Sequence, residues 1–341
     1  MEIRGDLCHS TIIKNMKPLL SFDESKDFSV WKEEIKSKFS ELIGYGNIEK
    51  NACPLRVETE SVERKDGYTQ TRFVFESEKD SFVPCYLLVP DTGKEKYPLA
   101  ITMQGHSSGF HNSVGIVKYE GDAAYQSRGQ FAVQAVKRGF AALAIEQRGM
   151  GERRPSERHQ CGANMCEYEA HIALMLGRTI IGERIWDISR AIDAVKRFDK
   201  VDTEKILITG SSGGGTISYY AACLDERIKL SVPNCAFCPY PESIMNWFHC
   251  SCNFIPHAYE WFDMQDLAGL IAPRRLALVN GRYDEIFPLY GAEKGYETVK
   301  KIYGKANSPA NCSFTVTDKA HWWCEDIVWD KIAEETEKLK W

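Results

Sequence analysis

Apolar residues recur along this chain in short strand-like runs, separated by longer segments with helical spacing. Positions 98–103, 140–145, 206–209, 229–232, 275–280 and 312–317 read as short buried strands. Ile181, Ile185, Ile188, Ile192 and Val195 are spaced 4, 3, 4 and 3 residues apart, the stripe of an amphipathic helix laid on a sheet. Helices are also predicted over 28–42, 123–138 (stopped by Gly139), 289–303 and 325–339. Between 56 and 90 the pattern is β-rich, with Asp66-Gly67 turning a hairpin between 57–62 and 68–76, then a strand over 82–89. Alternation of this kind predicts an α/β fold with a mostly parallel central sheet and helices on both faces.

No internal repeat, low-complexity tract or linker divides the chain, which reads as one domain, 1–341. Residues 1–55 form a helical N-terminal extension ahead of the β-rich part. Two segments interrupt the alternation, 153–178 and 237–267. The second is aromatic-rich, with Tyr240, Trp247, Phe248, Phe254, Tyr259 and Trp261. Insertions of this length beside a parallel sheet shape pockets.

Composition narrows the function. A chain of 341 residues with net charge −5 has no basic excess that would suggest nucleic acid. No apolar run is long enough to span a bilayer. Residues 1–20 lack the apolar core of a signal peptide, so a cytoplasmic location is expected. Twelve cysteines then read as reduced thiols. Cys235, Cys238, Cys250 and Cys252, with His249 and His257 nearby, form the densest group. Cys235-x-x-Cys238 has metal-ligand spacing, but Cys250-x-Cys252 is not the second half of a zinc ribbon, so free thiols are expected and no metal.

The chemistry starts at Gly210-Ser211-Ser212-Gly213-Gly214, a Gly-x-Ser-x-Gly run between an apolar strand and a helix-like segment. Small residues around a serine on a tight strand-to-helix turn let the backbones pass and leave the hydroxyl exposed. A hydroxyl needs a base, and the base needs a partner to fix its tautomer. Asp284 follows the strand pattern at 275–280, and His321 follows the one at 312–317. Each candidate thus lies past the C-terminal end of a predicted strand, where open α/β sheets place their sites. Glu285 is an alternative acid. Backbone amides of Gly213 and His106, the latter in Gln104-Gly-His-Ser-Ser-Gly109, are the expected oxyanion donors. Trp322, Phe287 and Trp247 are the expected pocket lining, with Trp323 beside them.

These residues carry a resemblance. The segment from Phe82 to the C-terminus resembles the α/β-hydrolases of the acetylxylan-esterase and dienelactone-hydrolase-like group. Its carriers are Gln104-Gly-His106, Glu146-Gln-Arg-Gly-Met-Gly-Glu152, Gly210-Ser-Ser-Gly-Gly214, Ile271-Ala-Pro-Arg274 and Gly281-Arg-Tyr-Asp-Glu-Ile-Phe-Pro288. The chain departs from the group in three places. Gln104 stands where many relatives carry histidine, Ala320 where relatives often have glycine, and Ser212 where dienelactone hydrolases use cysteine.

The resemblance implies a serine esterase acting on small acyl, chiefly acetyl, esters, including those of carbohydrates, with no metal or organic cofactor. It assigns Ser212 as nucleophile, Asp284 as acid and His321 as base. A carbon–carbon bond hydrolase, a peptidase or a non-catalytic binding protein on the same scaffold are the alternatives. The expected partner is a small ester, with neither nucleic acid nor membrane; homo-oligomerisation and the acyl and alcohol groups are left open.

Overall fold

The computed structural model describes residues 3–155 and 165–341. Among these residues nine strands are formed: β1 Val57–Lys65, β2 Tyr68–Glu78, β3 Ser81–Pro90, β4 Tyr97–Met103, β5 Ala141–Ile145, β6 Val201–Ser211, β7 Ile228–Asn234, β8 Arg275–Gly281 and β9 Cys312–Thr317. They make one sheet in the order β1-β2-β3-β5-β4-β6-β7-β8-β9. Pairing is antiparallel from β1 to β5 and parallel from β5 to β9. The strand order reverses at β4, which lies between β5 and β6. A crevice opens outside the C-terminal ends at such a switch point, here beside Met103 and Ser211.

In the parallel part β4, β5, β7, β8 and the second half of β6 are buried on both faces, whereas the edge strand β9, expected to be buried, is only half-buried because no strand among the described residues pairs with its outer side. Leu99 and Ile101 of β4 pack with the helices Phe28–Leu42, Ile180–Val195 and Gly213–Leu224. Ala100, between them, points to the other face, against the helices Phe131–Lys137 and Glu325–Lys338. The helix Phe28–Leu42 starts where Asp27 accepts from the Ser29 and Val30 amides at 2.9 and 3.0 Å. It buries Trp31, Ile35 and Phe39, a stripe at spacings of four residues. The isoleucine stripe of Ile180–Val195 is buried, and the Thr179 hydroxyl caps that helix by accepting from Gly182 N at 3.0 Å. The hairpin turns at Asp66-Gly67, with Lys65 opposite Tyr68 and Gly67 at φ 81°. β1 is the sheet's outer edge. It exposes Glu58, Glu60, Glu63 and Lys65, and its register shifts between Thr59 and Ser61.

One predicted helix, 123–138, is broken into a turn at Glu120–Tyr125, a short helix Gln126–Gly129 and the helix Phe131–Lys137. Asp122 fixes the first of these turns. It is buried, accepts from the Lys118 and Tyr119 amides at 2.9 Å, and leaves Ala123 and Ala124 exposed. The chain then redirects at Gly129-Gln130, where Gln130 has ψ 51°. The insertion 153–178 holds a helix, Met165–Met175, that periodicity does not reveal; its residues 156–164 lie outside the described residues. No helix among the described residues is long and apolar enough to cross a membrane.

Beneath the crevice lies a buried ion network. The Arg148 guanidinium grips Asp187 with two bonds of 2.9 Å and reaches Glu78 at 2.6 Å and Glu183 at 3.3 Å. Arg153 adds a 2.7 Å bond to Asp187, and Arg178 a 2.9 Å bond to Glu183. Three cations thus meet three carboxylates, tying the turn after β5 to the end of β2 and to the helix Ile180–Val195.

Candidate active site

Ser212 stands between the last residue of β6 and the first of the helix Gly213–Leu224, at φ 57° and ψ −126°. A side chain costs about 1–3 kcal/mol in such a region, so the surroundings must impose it. They do so by close packing. A Cβ on Gly210 or Gly214 would run into the Met103 carbonyl of β4, so only glycine lets β4 and the helix start approach this closely. The turn is further held by the Ser212 amide, which donates to Asn234 O at 3.0 Å.

The loop after β8 places Asp284, whose side chain is fully shielded from solvent. Its Oδ1 accepts from the Ile286 and Phe287 amides at 2.9 and 3.0 Å, which orients the carboxylate. Its Oδ2 meets His321 Nδ1 at 2.8 Å. Glu285 is exposed and takes no part. The imidazole of His321 is stacked on Phe287, centroids 6.0 Å apart at 15°. With Nδ1 tied to the carboxylate, Nε2 is free to take a proton. Among the described residues no hydrogen bond joins Ser212 Oγ to His321, but both line one cavity of about 360 Å³. Asn234 links the serine and histidine loops, its Nδ2 donating to Ser211 Oγ at 2.9 Å and to Trp322 O at 3.1 Å.

The same cavity is lined by Gly105, His106, Ser107, Asn112, Tyr125, Arg128, Phe131, Ile286 and Trp323. Gly213 opens its helix, so its amide has no partner within that helix. The His106 ring packs against Gly213, Nδ1 being 3.3 Å from where a Cβ would stand. Of the two expected oxyanion donors, His106 lines the cavity with Ser212, while Gly213 follows the serine and lies under the His106 ring without lining the cavity itself. The expected aromatic lining is placed differently. Phe287 is buried behind His321, Trp322 is half-exposed with the Arg128 guanidinium over its ring at 4.1 Å, and Trp247 does not line the cavity. Tyr240, Phe254 and Tyr259 of the 237–267 segment line a separate apolar groove with Ile12, Ile13 and Met16. Sequence reasoning did not single out Tyr125, Arg128, Phe131 or Asn112, which belong to the helix broken at Gly129 and to the loop before it.

Glu146 directly follows β5, beneath this wall. It accepts from Gln104 Nε2 at 3.1 Å, Phe110 N at 3.2 Å and Glu152 N at 3.2 Å, and so braces the loop that carries His106. Burial pushes its carboxyl up from 4.5 to about 7, against the pull of the Glu152 and Phe110 amides. Between those values it is protonated in the fold and ionised in the unfolded chain. The stabilisation is complete below pH 4.5 and is lost as pH rises through 7. The gap corresponds to about 3 kcal/mol. Urea unfolding from pH 5 to 7.5 is therefore expected to show a fall in stability that Glu146→Gln lacks. Parallel pH curves for the two proteins would contradict this. Comparison with the variant cancels other groups such as His249, which burial holds down at about 4.

The four cysteines that stand close in the sequence do not come together in the fold. Cys235 lies with its sulfur near Ala320 O and Trp322 O, and Cys238 near Pro288 O. Cys250 and Cys252 instead meet Cys166, from the helix Met165–Met175, and His106.

Comparison with known proteins adds the following. A model of the Abhydrolase family matches residues 5–321. A Bacillus subtilis (strain 168) protein, YtaP, whose name assigns it provisionally to the hydrolases, is 24% identical over 262 residues, covering 76% of this chain and 84% of its own. Among solved structures, one from Bacteroides fragilis, provisionally titled an acetyl xylan esterase, superposes with TM-score 0.81 at 17% identity over 99% of this chain and 96% of that one. A glucuronoyl esterase from Solibacter usitatus superposes with TM-score 0.66 at 14% identity, over 95% and 97% of the two chains.

Proposed function

The chain belongs to the Abhydrolase family, and from that membership we propose that it is a carboxylic-ester hydrolase cleaving small acyl, chiefly acetyl, esters of carbohydrates through Ser212, His321 and Asp284. Its fold is that of the α/β-hydrolases, as the sequence resemblance implied. The observation that carries the reading is the Asp284–His321 pair at 2.8 Å, facing a cavity that it shares with a serine on a strained elbow.

In this reading His321 Nε2 removes the Ser212 proton as the hydroxyl attacks the ester carbonyl. The developing oxyanion lies between the amides of Gly213 and His106, each such donor being worth about 3 kcal/mol at the transition state. Buried Asp284 holds Nδ1–H and stabilises the imidazolium that forms. His321 then gives its proton to the leaving alcohol, and water, activated by the same base, releases the acid. Names of the structural neighbours support a carbohydrate alcohol or acid as part of the ester.

A second reading concerns the substrate alone. Arg128 lines the cavity, has no acidic partner among the described residues, and is held by the Tyr125 and Trp322 rings at 5.2 and 4.1 Å. A free guanidinium at that place favours an ester of an acidic sugar.

The test is hydrolysis of p-nitrophenyl acetate, butyrate and octanoate, with fluorophosphonate labelling located by mass spectrometry. Turnover is expected to fall from acetate to octanoate, with the label on Ser212. Faster turnover of octanoate would overturn the short-acyl assignment, and a label elsewhere would overturn the nucleophile.

A further inference from the structure

His106, Cys166, Cys250 and Cys252 come from three separate parts of the chain. His106 lies in the loop after β4, Cys166 in the first turn of Met165–Met175, and the other two at the turn Ser251–Asn253. Their ligand atoms all fall within 4.8 Å of one another. Cys166 Sγ and Cys250 Sγ are 3.2 Å apart, and Cys252 Sγ and His106 Nε2 are 3.3 Å apart. A tetrahedral zinc ion, with bonds of about 2.3 Å to sulfur and about 2.0 Å to nitrogen, sets sulfur–sulfur edges of about 3.8 Å and sulfur–nitrogen edges of about 3.5 Å. The sulfur–sulfur contact is about 0.6 Å and the sulfur–nitrogen contact about 0.2 Å shorter than those edges, and the remaining pairs lie within 4.8 Å, close enough for one ion to reach all four atoms.

The surroundings suit a metal as well. Met150, Ala170 and Ile180 pack around Cys166 and Cys252, giving the sulfurs an apolar shell. The Cys252 amide points at Cys250 Sγ at 3.5 Å, the kind of donor that supports a bound thiolate. His106 reaches in from the solvent side and completes the set with its Nε2.

We propose that His106, Cys166, Cys250 and Cys252 bind a zinc-class ion in a closed, four-ligand structural site. Binding releases the thiol protons to solvent, so metal retention falls in acid. All four positions are filled by protein, so no site remains for a water or substrate, and the ion acts as a staple. It fastens the His106 loop to the 153–178 and 237–267 segments, fixing the wall on which the His106 amide is presented. That last consequence rests on the catalytic reading above; the metal site itself does not. This departs from the expectation of no metal, which weighed Cys250 and Cys252 with the wrong partners.

The experiment uses the full chain, expressed with zinc, purified under reducing conditions without a chelating tag, and dialysed. Elemental analysis is expected to find about one zinc per chain. Cobalt substitution of the same protein is expected to give the intense visible absorption and thiolate charge-transfer bands of a tetrahedral sulfur-rich site. Cys250→Ser and Cys252→Ser are expected to lose the metal, while Cys312→Ser and Ser212→Ala keep it. Retention in Ser212→Ala separates this proposal from the catalytic one. Should either ligand variant fail to fold, the wild-type cobalt spectrum decides alone. No metal after zinc loading, metal content unaffected by both ligand variants, or a Cys166–Cys250 disulfide under reducing conditions would each overturn the proposal.

Discussion

Ser212→Ala is expected to lower hydrolysis of p-nitrophenyl acetate by on the order of 10⁵-fold, leaving only what oxyanion amides and binding supply. The serine shares a cavity with His321 and sits on the strained turn that opens the helix Gly213–Leu224. Alanine keeps the Cβ and so inherits the same backbone strain at φ 57°. The urea midpoint should therefore stay where it is while turnover vanishes. Ser212→Gly should lose turnover equally but gain about 1 kcal/mol of stability, because glycine tolerates that backbone region. The split between the two variants separates a strained nucleophile from a merely well-packed serine. If Ser212→Ala kept activity within tenfold of the wild type, another group would be the nucleophile.

Arg148→Ala is expected to cost about 3–5 kcal/mol in urea unfolding, because it leaves buried carboxylates without their common partner. Asp187 would keep Arg153 alone, and Glu78 and Glu183 would keep Arg178 alone. The slope of unfolding against urea should not change, since the exposed surface is the same. Arg148→Lys should recover only part of the loss. A lysine cannot repeat the two-pronged grip on Asp187 while also reaching Glu78 and Glu183. A loss below about 1 kcal/mol for Arg148→Ala would mean that water or rearranged arginines replace it readily.

The parts of this molecule that local chemistry dictates were legible in the sequence. The helix Phe28–Leu42 has its cap at Asp27 and an unbroken stripe; the hairpin has Asp66-Gly67; the elbow has its glycines at fixed offsets from Ser212. Asp284 and His321 could be singled out because each follows a recognisable strand, and the fold brings them to 2.8 Å of each other. What was not legible depends on contacts between distant segments. The helix Met165–Met175 is apolar on several sides, so periodicity does not announce it. The break near Gly129 falls where Gln130 leaves the helical region at ψ 51°, a bend that the apolar pattern over 123–138 does not record. The approach of Cys166 to Cys250 spans 84 residues of chain, and that of His106 to Cys252 spans 146. Spacing rules count neighbours along the chain, so they favoured Cys235-x-x-Cys238, whose side chains turn elsewhere.

The outer strand β1 has a consequence for the molecule in crowded solution. A sheet edge with free amides and carbonyls is a template on which a second sheet can grow. Here that edge displays Glu58, Glu60, Glu63 and Lys65, and its register slips between Thr59 and Ser61. An incoming strand would have to desolvate those charges and follow a kinked line of hydrogen bonds. The β-rich extension therefore does more than widen the sheet. It closes this side of the sheet with an edge on which a second sheet pairs poorly.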